Sequence, residues 1–357
     1  MPNIVHVVGT GTIGEPLIGL LSFFKDKFNI DEITFHKNSP LKVDITKVEQ
    51  LVSRGAKLAT DESKFDEFRA LGIKASFTNE EAIERASVVI DCTPKGVGLE
   101  NKRRYYEKYR NKVKGFIAQG SEDGFGTKFA YNLVPFSGDQ FTQIVSCNTH
   151  SIATVLKSLE CNISSASIGG ILSGDFVCIR RASDISQDED FIPAFELDSH
   201  KSDVFGTHHA KDAFALLKGQ FPNLKLFSSS LVVNTQYMHV IRFTITTDSV
   251  NKYKTKEDVI EAFRSNDLIA LTNKTTSNRV FGFGRDYGLY GRILNQAVIC
   301  APTINVDSAT NTIRGMLFTP QDGNSLLSSV AATLNFLDPK SVQERLSCLN
   351  PYIFKNI

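Results

Sequence analysis

The chain has 357 residues, 41% of them hydrophobic, which is enough for two folded domains with ordinary cores. Its 40 Lys and Arg residues balance 39 Asp and Glu residues, and the net charge of +1 argues against nucleic acid as the main partner. No apolar run is long enough to span a bilayer, so no membrane partner is expected.

The cysteines and histidines show no metal-binding spacing. The six cysteines contain no Cys-x-x-Cys pair and the seven histidines contain no His-Glu-x-x-His or zinc-finger spacing, so no metal site is predicted. Scattered cysteines in a chain of this size indicate a reducing compartment. Because Met1–Gly9 lacks a basic leader and a long apolar run, the expected location is the cytoplasm.

The first 146 residues alternate between strand and helix patterns. In chain order, the predicted elements are a strand at Ile4–Val8, a helix to about Phe24, a strand at Glu32–His36, helices at Ile45–Ser53 and Glu62–Leu71, a capping box at Thr78–Glu81, a strand at Ser87–Cys92, a helix at Asn101–Tyr109 and a strand at Gly115–Gln119. This alternation predicts a parallel sheet covered by helices, which is the α/β class with a Rossmann-like nucleotide-binding domain over residues 1–146.

Gly9, Gly11 and Gly14 match Gly-x-Gly-x-x-Gly between the first strand and the first helix. Glycines permit a tight turn and let the backbone approach a pyrophosphate, which the helix N-terminus then attracts. A merely structural glycine turn is the alternative. The strand–turn–helix context at the start of an alternating domain favours dinucleotide binding.

The second predicted strand ends at His36-Lys37-Asn38, where no Asp or Glu stands to accept a bond from a ribose 2′-hydroxyl. Lys37 can instead meet a 2′-phosphate, so NADP is favoured over strict NAD specificity. The alternative is that Lys37 is a solvated loop residue.

Cys147 lies where a buried strand pattern passes into a helix pattern. Unpaired N–H groups and the positive end of the helix dipole favour an anion there, so the thiol is expected to lose its proton more easily and to act as a nucleophile. Asn148 is placed to donate a hydrogen bond to an oxyanion. The alternative is that Cys147 is a buried small hydrophobe, the commonest fate of a free cysteine.

The pattern changes after this junction. The predicted elements are strands at Phe176–Arg181 and Met238–Thr247, a helix capped by Thr255, a hairpin of Gln296–Asn305 with Thr312–Phe318, and a final helix at Ser325–Phe336. These predict an α+β catalytic domain with a mixed or antiparallel sheet over residues 147–321. Residues 322–357 are expected to return to the first domain and complete it.

Three histidines and two arginines of this second part are candidates for the site. His239 lies on a predicted strand, and an imidazole near a thiol can act as a general base, although a lone histidine is more often a core or surface residue. His208 and His209 are placed in a polar loop, where they hold a phosphate or face water. Arg180 and Arg181 end a strand, and successive side chains of a strand point to opposite faces. One arginine is therefore expected to point into a site and the other to form an ion pair.

Several short segments occur in a characteristic order along nearly the whole chain. After the glycine-rich loop these are Asp91–Gly98, Gln119–Glu122, Val145–Thr149, Ile179–Asp184, Thr207–His209, Met238–Val240 and Gln321–Asp322. In this order they resemble the archaeal-type (type II) phosphorylating glyceraldehyde-3-phosphate dehydrogenases. The resemblance implies a nucleotide-binding domain plus a mixed-sheet catalytic domain, a homotetramer, and use of NADP and NAD in glycolysis or gluconeogenesis.

The resemblance also implies roles for individual residues. It makes Cys147 the nucleophile and His239 the base. It implies a set of residues that hold the phosphorylated aldehyde, namely Ser146, Asn148, Thr149, His208, His209 and Ala210. It places a second set at the cofactor, namely Thr12, Ile13, Gly120, Arg181 and Gln321. The implied reaction is oxidation of an aldehyde through a cysteine thioester, which inorganic phosphate then releases as an acyl phosphate.

The chain departs from the family pattern at several of these segments. Thr149-His150-Ser151 stands where the family usually has Thr-Thr-Gly, Ala210 and Ser121 each replace a glycine, and Ile241 replaces a histidine. These changes bear on substrate identity. They leave two alternatives open: a related acyl-phosphate reductase, of the aspartate-semialdehyde dehydrogenase or N-acetyl-glutamyl-phosphate reductase type, and a non-catalytic nucleotide-binding relative.

Overall fold

The computed structural model describes residues 2–120, 122–160, 170–184, 191–248, 253–320 and 322–357. It separates into two units. The first unit comprises residues 1–131, 135–144 and 326–350, and the second comprises residues 132–134, 145–325 and 351–357.

The first unit is built on an eight-stranded sheet in which each pair of neighbouring strands runs parallel. Its strands are β1 Ile4–Val8, β2 Glu32–His36, β3 Lys57–Thr60, β4 Phe77–Thr78, β5 Val88–Asp91, β6 Gly115–Ala118, β7 Thr127–Phe129 and β8 Phe141–Ile144. They lie in the order β4-β3-β2-β1-β5-β6-β8-β7. The central strands β1 and β5 are buried along their whole length, which explains their continuous apolar sequences.

Helices connect these strands, as a parallel sheet requires. They are α1 Gly14–Phe23, α2 Ile45–Ser53, α3 Phe65–Ala70, α4 Asn79–Arg85 and α5 Val97–Arg104, with short 3₁₀ turns at Lys42–Asp44, Glu62–Lys64 and Tyr106–Tyr109. The predicted capping box is confirmed, because Glu81 N donates to Thr78 Oγ1 at 3.2 Å and Thr78 N donates to Glu81 Oε2 at 2.8 Å.

The direction of the strand order changes at β1, whose neighbours are β2 on one side and β5 on the other. The loop after β1 therefore lies at a topological switch point, the place where α/β sheets bind ligands. This loop holds the glycine motif. Gly9 has a φ of +94°, and a Cβ on Gly14 would clash with the carbonyl oxygen of Gly9, so both positions require glycine.

The second unit is built on a mixed sheet. Its strands are β9 Ile171–Arg180, β10 Glu196–Leu197, β11 Lys225–Val232, β12 His239–Thr247, β13 Ile269–Thr272, β14 Ala297–Cys300, β15 Asn305–Asp307 and β16 Thr312–Thr319. Their order is β10-β11-β9-β12-β16-β14-β13, with β15 also paired to β16. The pairs β11–β9 and β13–β14 are parallel and the others are antiparallel.

The helices of the second unit are α6 Cys147–Glu160, α7 His208–Leu217, α8 Lys256–Arg264 and α9 Ser277–Tyr287. Two more helices follow β16, namely α10 Gly323–Leu337 and α11 Val342–Leu346, with 3₁₀ turns at Ala301–Thr303 and Ser347–Tyr352. Within the first unit, the ring of Phe336 on α10 occupies the space that a side chain at Gly115 on β6 would need. No helix in the described ranges combines the length and the apolar composition needed to cross a membrane.

The predicted fold class is confirmed: the chain has a Rossmann-like parallel sheet and a second, mixed sheet. The predicted hairpin is interrupted, since β14 ends at Cys300 and a 3₁₀ turn precedes β15, while both strands pair with β16. The polar stretch from Ser183 to Ser202 contains the short, exposed strand β10, and residues 185–190 lie outside the described residues.

Candidate active site

Cys147 is the first residue of α6, three residues beyond the end of β8 at Ile144. Ser146 caps the helix, because its carbonyl oxygen accepts from His150 N at 2.9 Å and its Oγ accepts from Thr149 N at 3.4 Å. Asn324 Nδ2 donates to the carbonyl oxygen of Cys147 at 3.0 Å. The strand-to-helix junction predicted for this cysteine is therefore present, and the turn that carries it is fixed by bonds to its backbone.

His239 lies beside the same turn. It begins β12, and its Nδ1 is 3.2 Å from Oδ1 of Asn148, the residue after Cys147. Asn148 Oδ1 also accepts from Thr319 Oγ1 at 3.2 Å. The strand pairing explains this contact, since His239 and Thr319 are opposite each other in β12 and β16. The predicted base, His239, therefore contacts the residue that directly follows the predicted nucleophile, Cys147.

The histidine pair at residues 208 and 209 opens α7, so its predicted placement in a polar loop is wrong. The N-terminus of α7 is capped from outside the segment, because Ala210 N donates to Ser228 Oγ at 3.1 Å. An apolar stripe at helical spacing, which the prediction overlooked, buries the helix; its members are Ala210, Ala213, Leu216 and Leu217. His209 is 4% exposed, and its Nδ1 lies 3.5 Å from Ser146 Oγ.

Both arginines at the C-terminal end of β9 form ion pairs. Arg180 donates two hydrogen bonds to Asp198, at 3.0 and 2.8 Å. Arg181 is 5% exposed and donates to Tyr237 O at 2.9 Å and to Asp184 Oδ1 at 3.0 Å. Arg181 also lines a cavity of about 150 Å³ in the second unit. Two acceptors hold its guanidinium in place. A side chain that orients a bound group needs such a fixed position.

The same cavity is lined by Asp322 and Arg292, whose side chains form an ion pair at 3.2 Å. Asp322 is 4% exposed, and burial raises its pKa. The sequence motif drew attention to the neighbouring Gln321 instead, which lies outside the described residues. The ion pair of Asp322 was not predicted, because its partner Arg292 is distant in sequence and no local pattern indicates the pair.

The pKa of Cys147 contradicts one expectation. Burial is the main cause that raises this pKa to about 12; the carboxylates of Asp184 and Asp322 act in the same direction, and the charge of Arg181 opposes them in part. The expectation that the helix N-terminus would ease ionisation of this thiol is therefore wrong. Desolvation of the sulfur outweighs the helix dipole, although the residue itself is only half-buried.

This raised pKa predicts how Cys147 reacts with iodoacetamide. We expect the alkylation rate to rise by about tenfold per pH unit from about pH 7 to about pH 10, because the reactive thiolate remains a minor species below the pKa. Peptide mass spectrometry of Cys147 at each pH measures this rate, and a C147S sample gives the background from the other cysteines. A plateau below about pH 8 would mean that the thiol is already ionised near neutrality.

His239 and its neighbours are buried imidazoles. Burial, with a smaller contribution from the charge of Arg181, lowers the pKa of His239 to about 3. Burial likewise lowers the pKa of His209 well below its usual value and that of His150 to about 4. His239 is therefore neutral at physiological pH, which is the state that a proton acceptor needs.

The glycine motif and its flanking residues form the candidate cofactor site of the first unit. Thr12 is 8% exposed and Ile13 is the N-cap residue of α1. Because the side chain of isoleucine cannot accept a hydrogen bond, the first N–H groups of α1 are not capped by it. Gly11 accepts from Glu15 N at 3.1 Å, which continues the helix into the loop. Such a helix start, without a Cβ at Gly14, fits a pyrophosphate.

Two further predicted cofactor positions lie at the ends of other strands of the first unit. Lys37 follows β2 and forms an ion pair with Asp44 at 2.7 Å. Gly120 lies beyond β6 with a φ of +58°, and its carbonyl oxygen accepts from Gln143 Nε2 at 3.0 Å. Lys37 is thus part of a local charge pair, and Gly120 occupies a backbone conformation that favours glycine.

The site has the parts needed for covalent aldehyde chemistry. A cysteine and a neutral histidine flank one asparagine, a second buried histidine lies beside the N-cap serine, and an oriented arginine is close enough to influence the pKa of the sulfur. Among the described residues, no group of three or more His, Cys, Asp or Glu side chains is placed to hold a metal ion.

Comparison with known proteins confirms the resemblance that the motifs indicated. No family model matches the chain. Proteins named glyceraldehyde-3-phosphate dehydrogenase are similar to it over most of its length. The protein of Pyrobaculum islandicum is 27% identical over 292 residues, covering 80% of this chain and 78% of that protein. The protein of Methanocaldococcus jannaschii is 26% identical over 318 residues, which is 86% of each. That of Sulfolobus acidocaldarius is 28% identical over 311 residues, covering 84% and 82%.

Proposed function

We propose that the chain is an NAD(P)-dependent oxidoreductase that oxidises glyceraldehyde 3-phosphate, with inorganic phosphate, to 1,3-bisphosphoglycerate, and that it also runs the reverse reaction. The observation that carries this proposal is the contact between His239 and Asn148 at the helix turn that begins with Cys147. The names of the archaeal relatives support the same activity. The corresponding pathways are glycolysis and gluconeogenesis.

In the proposed mechanism, the sulfur of Cys147 attacks the aldehyde carbonyl, and the thiol proton ends on the hydroxyl of the resulting hemithioacetal. A bound nicotinamide supplies the hydride acceptor. His239, which is neutral, accepts the hydroxyl proton as the carbon–sulfur adduct becomes a thioester. Inorganic phosphate then attacks the thioester, and Cys147 leaves as the acyl phosphate forms. A covalent intermediate divides one difficult step into two easier ones.

Residues around this turn are proposed to hold the substrate. They are Ser146, Asn148, Thr149, His208, His209 and Ala210. Support comes from the buried His209 beside Ser146 Oγ and from the side-chain bond of 2.9 Å between Ser146 and Thr149, which gather hydroxyl and imidazole groups near Cys147. Such groups suit a polar, phosphorylated aldehyde.

The nucleotide is proposed to bind in the first unit at Gly9, Gly11, Thr12, Ile13, Gly14, Lys37 and Gly120, with Arg181 and Gln321 as further contacts. NADP is the proposed preference because of Lys37. We expect K37M to lower kcat/KM for NADP by about tenfold or more and to leave kcat/KM for NAD nearly unchanged, since a charge-assisted bond to the 2′-phosphate is lost.

The matched control for this prediction is D44N, which removes the ion-pair partner of Lys37 and keeps the ammonium group. Because the ammonium then has no carboxylate beside it, D44N should raise the NADP-to-NAD ratio of kcat/KM. Initial rates with the two cofactors in parallel measure the ratio. An unchanged ratio in K37M would remove Lys37 from the cofactor site.

The proposed domain roles follow the sequence boundaries: residues 1–146 with 322–357 bind the nucleotide, and residues 147–321 carry out catalysis. A homotetramer is proposed from the resemblance. The cytoplasm is the proposed location because the free thiols of the chain, including Cys147, require a reducing compartment.

The direct test is an initial-rate assay of the purified chain with glyceraldehyde 3-phosphate, phosphate, and NADP or NAD. Aspartate semialdehyde and N-acetyl-glutamate semialdehyde serve as alternative substrates under the same conditions. Turnover of glyceraldehyde 3-phosphate that depends on phosphate supports the proposal. Turnover of only one of the other aldehydes would contradict it, as would the absence of any turnover in protein that binds the nucleotide.

A further inference from the structure

A chain of buried hydrogen-bonding side chains ends at the imidazole of His239. Asn148 Oδ1 is 3.2 Å from His239 Nδ1 and 3.2 Å from Thr319 Oγ1, and Ser151 Oγ is 3.3 Å from Thr319 Oγ1. Asn148 is 1% exposed, and Thr319 and Ser151 are fully buried. Water therefore does not compete for these bonds, and each group must be satisfied by its protein neighbours.

Three separate segments build this chain of contacts. Asn148 and Ser151 are three positions apart on α6, so their side chains lie on the same side of the helix. Thr319 is the last residue of β16, directly opposite His239 at the start of β12. Ser151 Oγ also donates to Gln296 O at 2.7 Å, which ties it to the residue before β14. The fold, rather than a local motif, creates the arrangement.

The chemistry of the groups determines where the imidazole proton lies. An amide oxygen only accepts hydrogen bonds, so a ring nitrogen that faces Asn148 Oδ1 must carry the proton. A neutral imidazole with its proton on Nδ1 has its free lone pair on Nε2. If Asn148 turned its amide nitrogen toward the ring instead, Nδ1 would accept and Nε2 would be protonated and unable to act as a base.

We propose that Thr319 is a positioning residue: its hydroxyl holds Asn148 Oδ1 toward Nδ1 of His239 and so fixes the imidazole in the tautomer that leaves Nε2 free. The effect of Thr319 on catalysis rests on the proposed function, whereas the tautomer of the His239 ring does not. Ser151 Oγ lies 3.3 Å from Thr319 Oγ1 but donates its one proton to Gln296 O, so the proton of the Thr319 hydroxyl is the one that goes to Asn148 Oδ1.

The tautomer is tested directly by NMR of protein with ¹⁵N-labelled histidine, because protonated and unprotonated ring nitrogens have well-separated shifts. H239N identifies the resonances of His239. In the unmodified chain at about pH 7 we expect a protonated Nδ1 and an unprotonated Nε2. In T319V, which removes the hydroxyl and keeps a β-branched side chain, we expect a mixture of tautomers, and in T319S the original spectrum.

Kinetics test the consequence. We expect T319V to lower kcat by about tenfold, the effect of losing one hydrogen bond, with KM for both substrates nearly unchanged, and T319S to restore most of the rate. Because Thr319 acts through Asn148, T319V should cause no further loss in an N148A background. An equal additional loss in that background would show that Thr319 acts by another route and would overturn the proposal.

Two results on the ring itself would also overturn it. One is the opposite tautomer in the unmodified chain, a measurement that stands even if T319V does not fold. The other is a folded T319V with an unchanged ring spectrum and an unchanged kcat. A chain that shows the expected tautomer but turns over none of the three aldehydes would refute the proposed function and leave the positioning role of Thr319 intact.

Discussion

Replacement of Cys147 by serine should abolish phosphate-dependent aldehyde oxidation. A serine hydroxyl is far harder to ionise than a thiol, and loss of the nucleophile in another covalent enzyme costs on the order of 10⁶-fold in kcat. The fold should be retained, because the bond from Asn324 Nδ2 goes to the backbone of residue 147 and does not depend on the sulfur. We therefore expect turnover below detection in a protein that still binds nucleotide.

Two measurements check this result. A spectrophotometric assay of cofactor reduction gives the turnover, and intact-mass spectrometry after incubation with the acyl phosphate reports any covalent adduct. C348S is the matched control, since Cys348 Sγ donates to Arg345 O at 3.2 Å and a serine hydroxyl can do the same. Full activity is expected in C348S. An acyl adduct on C147S that forms as fast as on the unmodified chain would disprove the nucleophile assignment.

H239N should slow hydride transfer by about 10²–10⁴-fold, the usual contribution of a general base. Asparagine is similar in reach to the imidazole and can still donate to Asn148 Oδ1, so the helix turn at Cys147 should be undisturbed. Because H239N leaves every residue of the proposed nucleotide site unchanged, the Kd for nucleotide should stay nearly constant. The loss should therefore appear in kcat.

Single-turnover kinetics of cofactor reduction, together with a nucleotide titration, separate these two quantities. H200N is the matched control, because His200 is an exposed histidine of the second unit whose Nε2 lies 3.0 Å from Ser229 Oγ. H200N should behave like the unmodified chain. Unmodified turnover in H239N would refute the base assignment, and a large rise in nucleotide Kd would mean that His239 has a structural role.

Local features of the fold were predictable from the sequence. The strand at Ile4–Val8 and the helix at Ile45–Ser53 match the predicted bounds, and both capping boxes form, at Thr78 and at Thr255. Each depends on residues within a few positions of one another. By contrast, β3 at Lys57–Thr60 was missed, because four residues in a parallel sheet give neither alternation nor a turn signature.

In the candidate active site, too, only the features formed by residues close in sequence were predictable. The junction at Cys147 was predictable because the strand and the helix adjoin in sequence. Thr319 was not, because it meets Asn148 only through the pairing of β16 with β12. The N-terminus of α7 was hidden for a similar reason, since Ser228, which caps it, comes from β11. The pKa of Cys147 also depends on burial and on Asp184 and Asp322, which no local pattern reveals.

The packing of the Phe336 ring against Gly115 can form only late in translation of the chain. Residues 326–350 belong to the first unit but are translated after residues 145–325 of the second unit. While the second unit is being translated, the strands of the first sheet are already outside the ribosome, and the aromatic ring that covers the start of β6 has not yet been made. A nascent chain therefore presents an unfinished apolar surface for most of its translation, and this is the interval in which a chaperone has something to bind.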